Sequence, residues 1–394
     1  MNRGHVMCYV QHLMGSGHQW RVAAISRALC DLGLDVTYVS GGMPVPGLDP
    51  GCARFVQLPP ARSADMRYKM LVNEGGTPVG ASWQKRRRSQ LLDVFFHCRP
   101  DVLLLETFPF GRRLLRFELI PLLEAARSRQ PRPHIVGSVR DILEPRCKPG
   151  RNEEIVNLVN RYFDLILVHS DSRVMPFEAT FPLAAQIRGR LHHTGYVLAR
   201  GQNVESGTQG RDEVVVSAGG GAFGEHLLRA AMDARALSAL AHLRWRILVG
   251  QNLPQARFER LRSAAADGLI VERNRPDFTT LLKNCALSIS QAGYNTLLEV
   301  LACNARAVFV PYSDEHEQEQ AIRARMLAGH GLADIVENHE LTPQRLAQAT
   351  SIASKRVSLQ HASIDVSGAE TSAQLIAARI GGYTIDDRVE RLGT

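Results

Sequence analysis

A carboxylate at position 299 is the first residue whose type and spacing suggest chemistry. Glu299 lies in a short apolar segment of helical period that begins just after Gly293, and strand-like runs ending at Ser290 and covering Ala307–Val310 flank this segment. Strand, tight turn, helix and strand make one βαβ unit, whose helix start attracts an anion. A nearby carboxylate binds the ribose diol in nucleotide folds. A solvated helix glutamate is the alternative.

A run of glycines predicts a second anion contact. Gly219, Gly220 and Gly221 separate the apolar segment Val214–Ser217 from a helical pattern that starts at about Glu225. Without Cβ atoms, the backbone N–H groups of such a turn can approach a phosphate closely. A simple tight turn between a strand and a helix is the alternative interpretation.

The amino-terminal half opens with the same order of elements. Val6–Gln11 is strand-like, Gly15 and Gly17 form a turn, and His18 closes that turn before a helical pattern over Arg21–Leu32. A histidine at this place projects over the strand ends, and its ordinary pKa of about 6.5 suits proton abstraction at neutral pH. We therefore predict that His18 is the catalytic base. A histidine that only caps or packs at the helix start is the alternative.

Polar residues also end further predicted strands of this half, where ligands of parallel sheets bind. Arg140 and Asp141 end their strand cleanly, and we predict that they contact the acceptor together with Gly15 and Gly17. A structural role is the alternative for each. The other strand-end candidates are Glu106, His169 and Asp171.

The carboxy-terminal half contains a set of short motifs: Arg275-Pro276-Asp277-Phe278, Ser290-Gln291-Ala292-Gly293-Tyr294-Asn295-Thr296 with Glu299, Phe309-Val310-Pro311 and the polar run through Gln320. From Ser290 onward, these motifs resemble the nucleotide-sugar domain of the MurG family of glycosyltransferases. The first two motifs together also resemble a branch of uncharacterised bacterial glycosyltransferases. In the amino-terminal half, the Gly-x-Gly-His form of the first turn resembles the glycine loop of the same enzymes.

The resemblance implies a GT-B fold, in which two Rossmann-like, doubly wound parallel-sheet α/β domains face each other across a cleft. It also implies an inverting transfer of a hexose, such as N-acetylglucosamine, from a UDP-sugar to an acceptor hydroxyl. We expect no metal and no cofactor, since no D-x-D pair ends a strand and helix N-termini, with Arg275 as a helper, would stabilise the leaving diphosphate. The implied donor-binding residues are Ser217, Gly219, Gly220, Gly221, Asn274, Arg275, Gln291, Gly293, Asn295, Thr296, Glu299, Glu315, Glu319 and Gln320.

Two departures from the MurG pattern leave the base and the sugar open. Asn274 and Arg275 stand where the family has an aromatic–aliphatic pair, and Glu319-Gln320 stands where it has two glutamines. Three rival functions also remain open at this point: a nucleotide-sugar hydrolase, an epimerase, and a non-catalytic protein that binds a nucleotide sugar.

Length and patterning predict two domains. The 394 residues divide at Ala199–Asp212, a polar and glycine-bearing stretch without a period. We predict an acceptor domain over residues 1–198, a linker over 199–212, a donor domain over 213–380 and a tail over 381–394. In relatives of this fold the last helix commonly crosses back to the first domain.

Composition predicts a globular cytoplasmic enzyme. Apolar residues make up 45% of the chain, yet no apolar run reaches the roughly 18–20 residues of a membrane span, and we find no signal peptide. Seven cysteines without a C-x-x-C pair indicate reduced thiols, not a disulfide framework or a zinc site.

The charge favours anionic partners. Lysine and arginine number 47 against 39 acidic residues, with a dense cluster at Lys85-Arg86-Arg87-Arg88. A solvated helix face is the plain interpretation of that cluster, and docking to the inner face of an anionic membrane is the other. No motif supports binding of nucleic acid. The acceptor stays open between a lipid-linked sugar, a polysaccharide end and a small molecule.

Overall fold

The computed structural model describes residues 3–65, 68–143, 149–198, 207–219, 224–313, 318–356 and 364–381. Its contacts divide the chain into two compact units. Unit 1 comprises Met1–Gly201 together with Asp365–Thr394, and unit 2 comprises Gln202–Ile364. Each unit contains one parallel sheet with helices, so the predicted fold class of two Rossmann-like α/β domains is confirmed.

Unit 1 is built on a seven-stranded sheet in the order β3-β2-β1-β6-β7-β8-β9, with every neighbouring pair parallel. Near-continuous apolar runs form the central strands because helices cover both sheet faces. The strands are β1 (His5–Val10), β2 (Asp35–Ser40), β3 (Arg54–Gln57), β6 (Val102–Glu106), β7 (His134–Arg140), β8 (Leu165–His169) and β9 (Leu191–His193). The helices are α1 (Gly17–Asp31), α2 (Ala81–Cys98), α3 (Arg116–Ser128), α4 (Arg151–Tyr162) and α11 (Gly368–Ala377).

The carboxy-terminal segment belongs to unit 1. Helix α11 packs against α1, and its apolar residues Ala373 and Ile376 are buried in the core that α1 shares with the sheet. Val197 also forms an isolated bridge with Ser367. This segment therefore covers the face of the sheet on which α1 lies.

The polar, glycine-rich sequence over residues 61–82 has no clear period and predicts a loop, but the structure forms a small sheet there. Strands β4 (Ala61–Ser63) and β5 (Leu71–Asn73) pair antiparallel there, outside the main sheet. The strands are three residues long, too short to show a period of two in the sequence.

Unit 2 repeats the topology with six parallel strands in the order β12-β11-β10-β13-β14-β15. The strands are β10 (Glu213–Ser217), β11 (Arg244–Val249), β12 (Leu269–Arg273), β13 (Leu287–Ser290), β14 (Ala307–Phe309) and β15 (Asp334–Ile335). The helices are α5 (Glu225–Ala234), α6 (Gln255–Ser263), α7 (Phe278–Asn284), α8 (Tyr294–Ala302), α9 (Glu319–Gly329) and α10 (Pro343–Ala353). None of the helices in the described ranges is long and apolar enough to cross a membrane.

The prediction that all cysteines are reduced is wrong for two of them. Cys30, at the end of α1, and Cys52, in the loop before β3, form a disulfide. The two positions are 22 residues apart and show no spacing motif, so only the packing of the loop against α1 reveals the pair. Of the others that the structure describes, Cys8, Cys98, Cys285 and Cys303 are free.

The residues of the basic cluster on α2 differ in their burial. Lys85 and Arg86 are exposed, but Arg87 is fully buried and its Nε donates to Glu118 Oε2 at 2.8 Å. Arg87 also donates to the Gly41 carbonyl. This residue therefore ties α2 to α3 and to the sheet, and only part of the cluster forms a solvated face.

Candidate functional site

His18 and Glu106 meet at the point where the strand order of unit 1 reverses. Chain order changes direction between β1 and β6, and ligands of such sheets bind beyond the strand carboxyl ends at this place. His18 is the second residue of α1 and Glu106 is the last residue of β6. The His18 Nδ1 atom lies 2.9 Å from Glu106 Oε1. The sequence placed both residues at strand ends but did not pair them.

The surroundings keep Glu106 ionised. Burial alone would raise the pKa of this carboxyl, but the Arg21 guanidinium, the imidazole of His18 and the Ser138 hydroxyl together hold it well below its usual range. Arg21 contacts Glu106 directly, and the Glu106 side chain has no exposed surface. A buried carboxylate with these donors is a fixed negative charge beside the imidazole.

The same surroundings keep His18 neutral. Burial and then the charge of Arg112 lower the pKa of His18 well below 6.5, although its bond to Glu106 acts in the opposite direction. The Glu106 carboxylate only accepts hydrogen bonds and so favours a proton on Nδ1 and the lone pair on Nε2, while the Arg21 guanidinium, also 2.9 Å from Nδ1, donates to the same carboxylate. Nε2 has no hydrogen-bond partner among the residues that the structure describes, and the side chain is 16% exposed. This arrangement can take a proton at Nε2 and stabilise the resulting imidazolium.

The other candidates of unit 1 lie at neighbouring strand ends. Gly15 is exposed, and a Cβ there would meet nothing within 4 Å, whereas Gly17 begins α1. Arg140 is half-buried and donates from Nε to the Ile142 carbonyl at 3.2 Å. The buried Asp141 accepts from the Ile142 N–H at 2.9 Å, so part of its carboxylate is used within this turn.

The other two strand-end candidates, His169 and Asp171, make buried contacts within unit 1. His169 is fully buried and bonds Ser138 and Thr194. Asp171 pairs with Arg173 at 2.6 Å and accepts from the Asp365 N–H at 3.1 Å, so it holds the returning carboxy-terminal segment.

The strand order of unit 2 also reverses, between β10 and β13, and several of the predicted donor residues lie at this point. Ser217 and Ser290 end the two strands as register partners. Gly219 follows in a left-handed conformation with φ +69°, which glycine adopts without strain. A Cβ on Gly219 would lie 3.6 Å from Thr296 Oγ1, and the Asn274 amide donates to the Gly219 carbonyl at 3.1 Å.

The turn before α8 completes this cluster. The Gln291 N–H donates to the Ser217 carbonyl at 3.2 Å, and Gly293 is the N-cap of α8, with nothing within 4 Å of a Cβ built there. Within the described residues, Asn274 Oδ1 and Ser290 Oγ are buried without a hydrogen-bond partner. Buried polar atoms without partners are rare, and at a strand end they indicate a site for a polar ligand.

An arginine that the sequence did not single out positions the turn. Arg323 of α9 is fully buried and donates from Nη1 to the Ala292 carbonyl at 3.0 Å. Its guanidinium also pairs with Glu319 at 2.6 Å and lies over the Tyr294 ring. The i,i+4 spacing from Glu319 was the one sequence signal for this pair.

Two residues that were predicted to bind the donor sugar instead contact other parts of unit 2. Glu319 is buried against Arg323, and Gln320 accepts at Oε1 from the Tyr312 N–H at 3.1 Å. Gly220, Gly221 and Glu315, which were also predicted to contact the donor, lie outside the described residues.

Part of the chain is similar in sequence to known glycosyltransferases. Residues 214–379 match the model of the glycosyltransferase family 28 C-terminal domain. A Rhizobium etli protein named UDP-N-acetylglucosamine–N-acetylmuramyl-(pentapeptide) pyrophosphoryl-undecaprenol N-acetylglucosamine transferase is 30% identical over 165 residues, which cover 40% of this chain and 44% of that protein. The chain thus spans less than half the length of this relative.

Solved structures share the fold over nearly the whole chain. CalG4, the calicheamicin glycosyltransferase, superposes with a TM-score of 0.61 at 16% identity, over 99% of this chain and 98% of that chain. Acinetobacter baumannii MurG superposes with a TM-score of 0.59 at 17% identity, over 95% and 99%. The chain therefore has the fold of these glycosyltransferases.

The remaining residues of the MurG-like motif lie on or near α8. Asn295 and Glu299 are half-buried on this helix, and the charge of Glu299 adds to the burial that raises the pKa of Cys303 to about 11. Arg275 is held by Asp277 at 2.7 Å and, more loosely, by Glu272. Within the described ranges, no group of three or more histidine, cysteine and acidic side chains is arranged to hold a metal ion.

Proposed function

We propose that this MurG-like protein is an inverting, metal-independent glycosyltransferase that moves a hexose from a UDP-sugar to an acceptor hydroxyl. The observation that carries the proposal is the pair of a neutral His18 and an ionised Glu106 at the strand-order reversal of unit 1. A neutral imidazole backed by a buried carboxylate is an arrangement for general-base catalysis.

His18 Nε2 takes the proton of the acceptor hydroxyl as the acceptor oxygen attacks the anomeric carbon. The bond from that carbon to the diphosphate oxygen breaks, and UDP leaves with the electron pair. The sugar therefore inverts its configuration at the anomeric carbon. The carboxylate of Glu106, 2.9 Å from Nδ1, stabilises the imidazolium that forms.

The donor would bind at the strand-order reversal of unit 2. The diphosphate lies against the start of α8 at Gly293 and the turn at Gly219, where helix N–H groups offset its charge. The unpartnered Asn274 Oδ1 is an acceptor for a donor group of the base, and Glu299 accepts from the ribose diol. The name of the Rhizobium etli relative supports a uridine nucleotide and N-acetylglucosamine as the first donor to test.

The exposed residues of helix α2 support the proposal that the protein is cytoplasmic and docks on the inner face of an anionic membrane. There it would take a lipid-linked acceptor. Lys85 and Phe96 share one helix face, because the residues between them span about three turns. Lys85 is exposed and Phe96 is 53% exposed. A basic and aromatic face suits a lipid surface.

Vesicle sedimentation tests this docking. Wild type should sediment with vesicles of anionic phospholipid and less with zwitterionic ones, and Lys85→Gln with Phe96→Ser should reduce that binding. The double change Lys283→Gln with Leu237→Ser, on unit 2, serves as the control. Equal sedimentation of wild type and the α2 variant would contradict membrane docking but leave glycosyl transfer untouched.

Product analysis with labelled UDP-N-acetylglucosamine tests the transfer itself. The expected result is a labelled glycoside in the presence of a lipid-linked, polysaccharide or small-molecule acceptor, and its loss in His18→Ala. Release of free sugar at the same rate with and without every acceptor would instead support a hydrolase. Absence of any turnover together with nucleotide binding would support a binding protein.

A further inference from the structure

A chain of buried hydrogen bonds runs from Glu106 into the sheet, away from His18. Ser138 of β7 donates from Oγ to Glu106 Oε2, and the same hydroxyl lies 2.8 Å from His169 Nε2. His169 Nδ1 in turn lies 2.9 Å from Thr194 Oγ1. None of these four side chains is more than 1% exposed. The chain links the ends of β6 and β8 through the middle of the sheet.

The number of protons in this chain fixes its direction. Ser138 has one hydroxyl proton, and its contact with the ionised Glu106 requires that proton, because a carboxylate only accepts. Ser138 must then accept from His169, so Nε2 of His169 carries the proton. Nδ1 of a neutral His169 is left as an acceptor that faces the Thr194 hydroxyl, and that hydroxyl also lies 2.9 Å from the Gly195 carbonyl oxygen. The two bonds from His169 through Ser138 therefore point toward Glu106.

Burial and the neighbouring charges keep His169 neutral. Burial, with a smaller contribution from Arg21, lowers the pKa of His169 to about 3, and the opposing effect of Glu106 is smaller. The ionisable groups that interact with Glu106 include Arg21, His18 and Arg112, and the two arginines also lower the pKa of His18. A neutral imidazole can hold a single tautomer, which the one-way chain requires.

We propose that Ser138 and His169 are positioning residues for the His18–Glu106 pair, and that their aligned hydrogen bonds hold Glu106 in the rotamer and the ionised state that keep the His18 proton on Nδ1. Building on the proposed glycosyl transfer, this assigns a role in catalysis to two residues that touch neither substrate. Each hydrogen bond to the carboxylate stabilises its charge before the reaction, so no reorganisation is needed when the imidazolium forms.

The tautomers can be measured without any substrate. NMR of the protein labelled with ¹⁵N at its imidazoles reports which ring nitrogen carries the proton, and the His18→Gln and His169→Gln variants assign the two signals among the 14 histidines. At pH 7.5 we expect a proton on Nδ1 of His18 and on Nε2 of His169. A proton on Nδ1 of His169 would overturn the proposal, because Ser138 would then have to donate to His169.

Kinetics of four variants separate positioning from folding. Ser138→Ala should lower kcat about ten- to a hundredfold, as expected for loss of a hydrogen bond to a charged group, with the donor KM unchanged. His169→Gln should retain most of the activity, because its amide can donate to Ser138 and accept from Thr194, whereas His169→Leu should resemble Ser138→Ala. The matched control is Thr37→Val, which removes a similar bond of 2.8 Å from a buried hydroxyl to His5 in the same sheet.

The pH profile gives a readout that a purely structural role would not change. Without the Ser138 hydroxyl the carboxylate of Glu106 loses a donor to its ionised form, so its pKa rises and the acidic limb of kcat/KM moves to higher pH. Thr37→Val should lower thermal stability and leave both kcat and this limb in place. Unchanged kcat and an unchanged acidic limb in a folded Ser138→Ala would refute the positioning role. A wild-type protein that shows no turnover at all would instead refute the proposed glycosyl transfer.

Discussion

Removing the charge of Glu106 while keeping its shape is the most direct test of the His18–Glu106 pair. In Glu106→Gln the amide oxygen can still accept from His18 Nδ1, so the imidazole should keep its place. The imidazolium that forms in the transition state, however, loses a carboxylate 2.9 Å away. The perturbation therefore acts on the transition state more than on the bound substrate.

The magnitude follows from the distance. Two unit charges 2.9 Å apart attract with about 6 kcal/mol at an effective dielectric constant of about 20. A hydrogen bond to a charged group contributes about 1.5–3 kcal/mol net, which is a lower bound here. Arg21, which shares the carboxylate, reduces the upper figure. We expect a loss of about 3–5 kcal/mol, or roughly a hundred- to several-thousandfold in kcat.

The assay is steady-state transfer from a labelled UDP-sugar, with UDP binding measured in parallel. Asp171→Asn is the matched control, because Asp171 is also a buried carboxylate after a strand of this sheet but pairs with Arg173. The control should retain kcat. A Glu106→Gln variant that keeps more than about a tenth of the wild-type kcat would refute the general-base pair.

Three further predictions test separate parts of the protein. Arg112→Gln removes a charge that lowers the pKa of His18, so the acidic limb of kcat/KM should move to higher pH, and a shift to lower pH would contradict this electrostatic account. UDP at a hundred times its Kd should stabilise the wild type by about 2.7 kcal/mol. Gly219→Ala, strained at φ +69°, and Glu299→Ala should each remove most of that thermal shift, and a full shift in both would count against the donor site. His169 has a folded pKa of about 3, below its unfolded value of 6.5, so its contribution to stability is complete above pH 6.5 and is lost as the pH falls toward 3. The free energy of unfolding, measured with denaturant, should be about 2 kcal/mol lower at pH 5 than at pH 7.5 because of this residue. The His169→Gln variant should lack that difference.

Local patterns were sufficient to predict the repeated element of both units. A glycine turn between an apolar strand and a helix is encoded within about twenty residues, because strand period, glycine freedom and helix period are local properties. The MurG-like motif from Ser290 to Glu299 is similarly local, and its member Thr296 lies beside Gly219 in the structure. The short hairpin of β4 and β5 was missed because three-residue strands carry almost no pattern.

The sequence by itself determined two Rossmann-like halves, a histidine at the first helix start and a MurG-like motif at a strand-to-helix turn. Only the tertiary structure decided which polar residues meet: His18 with Glu106, 88 residues away, Cys30 with Cys52, and Arg323 with the Ala292 carbonyl. Such contacts depend on strand order, register and helix packing, which bring distant segments together and leave no periodic trace in the residues themselves. The protonation states follow for the same reason, since burial and neighbouring charges exist only once the sheet has formed.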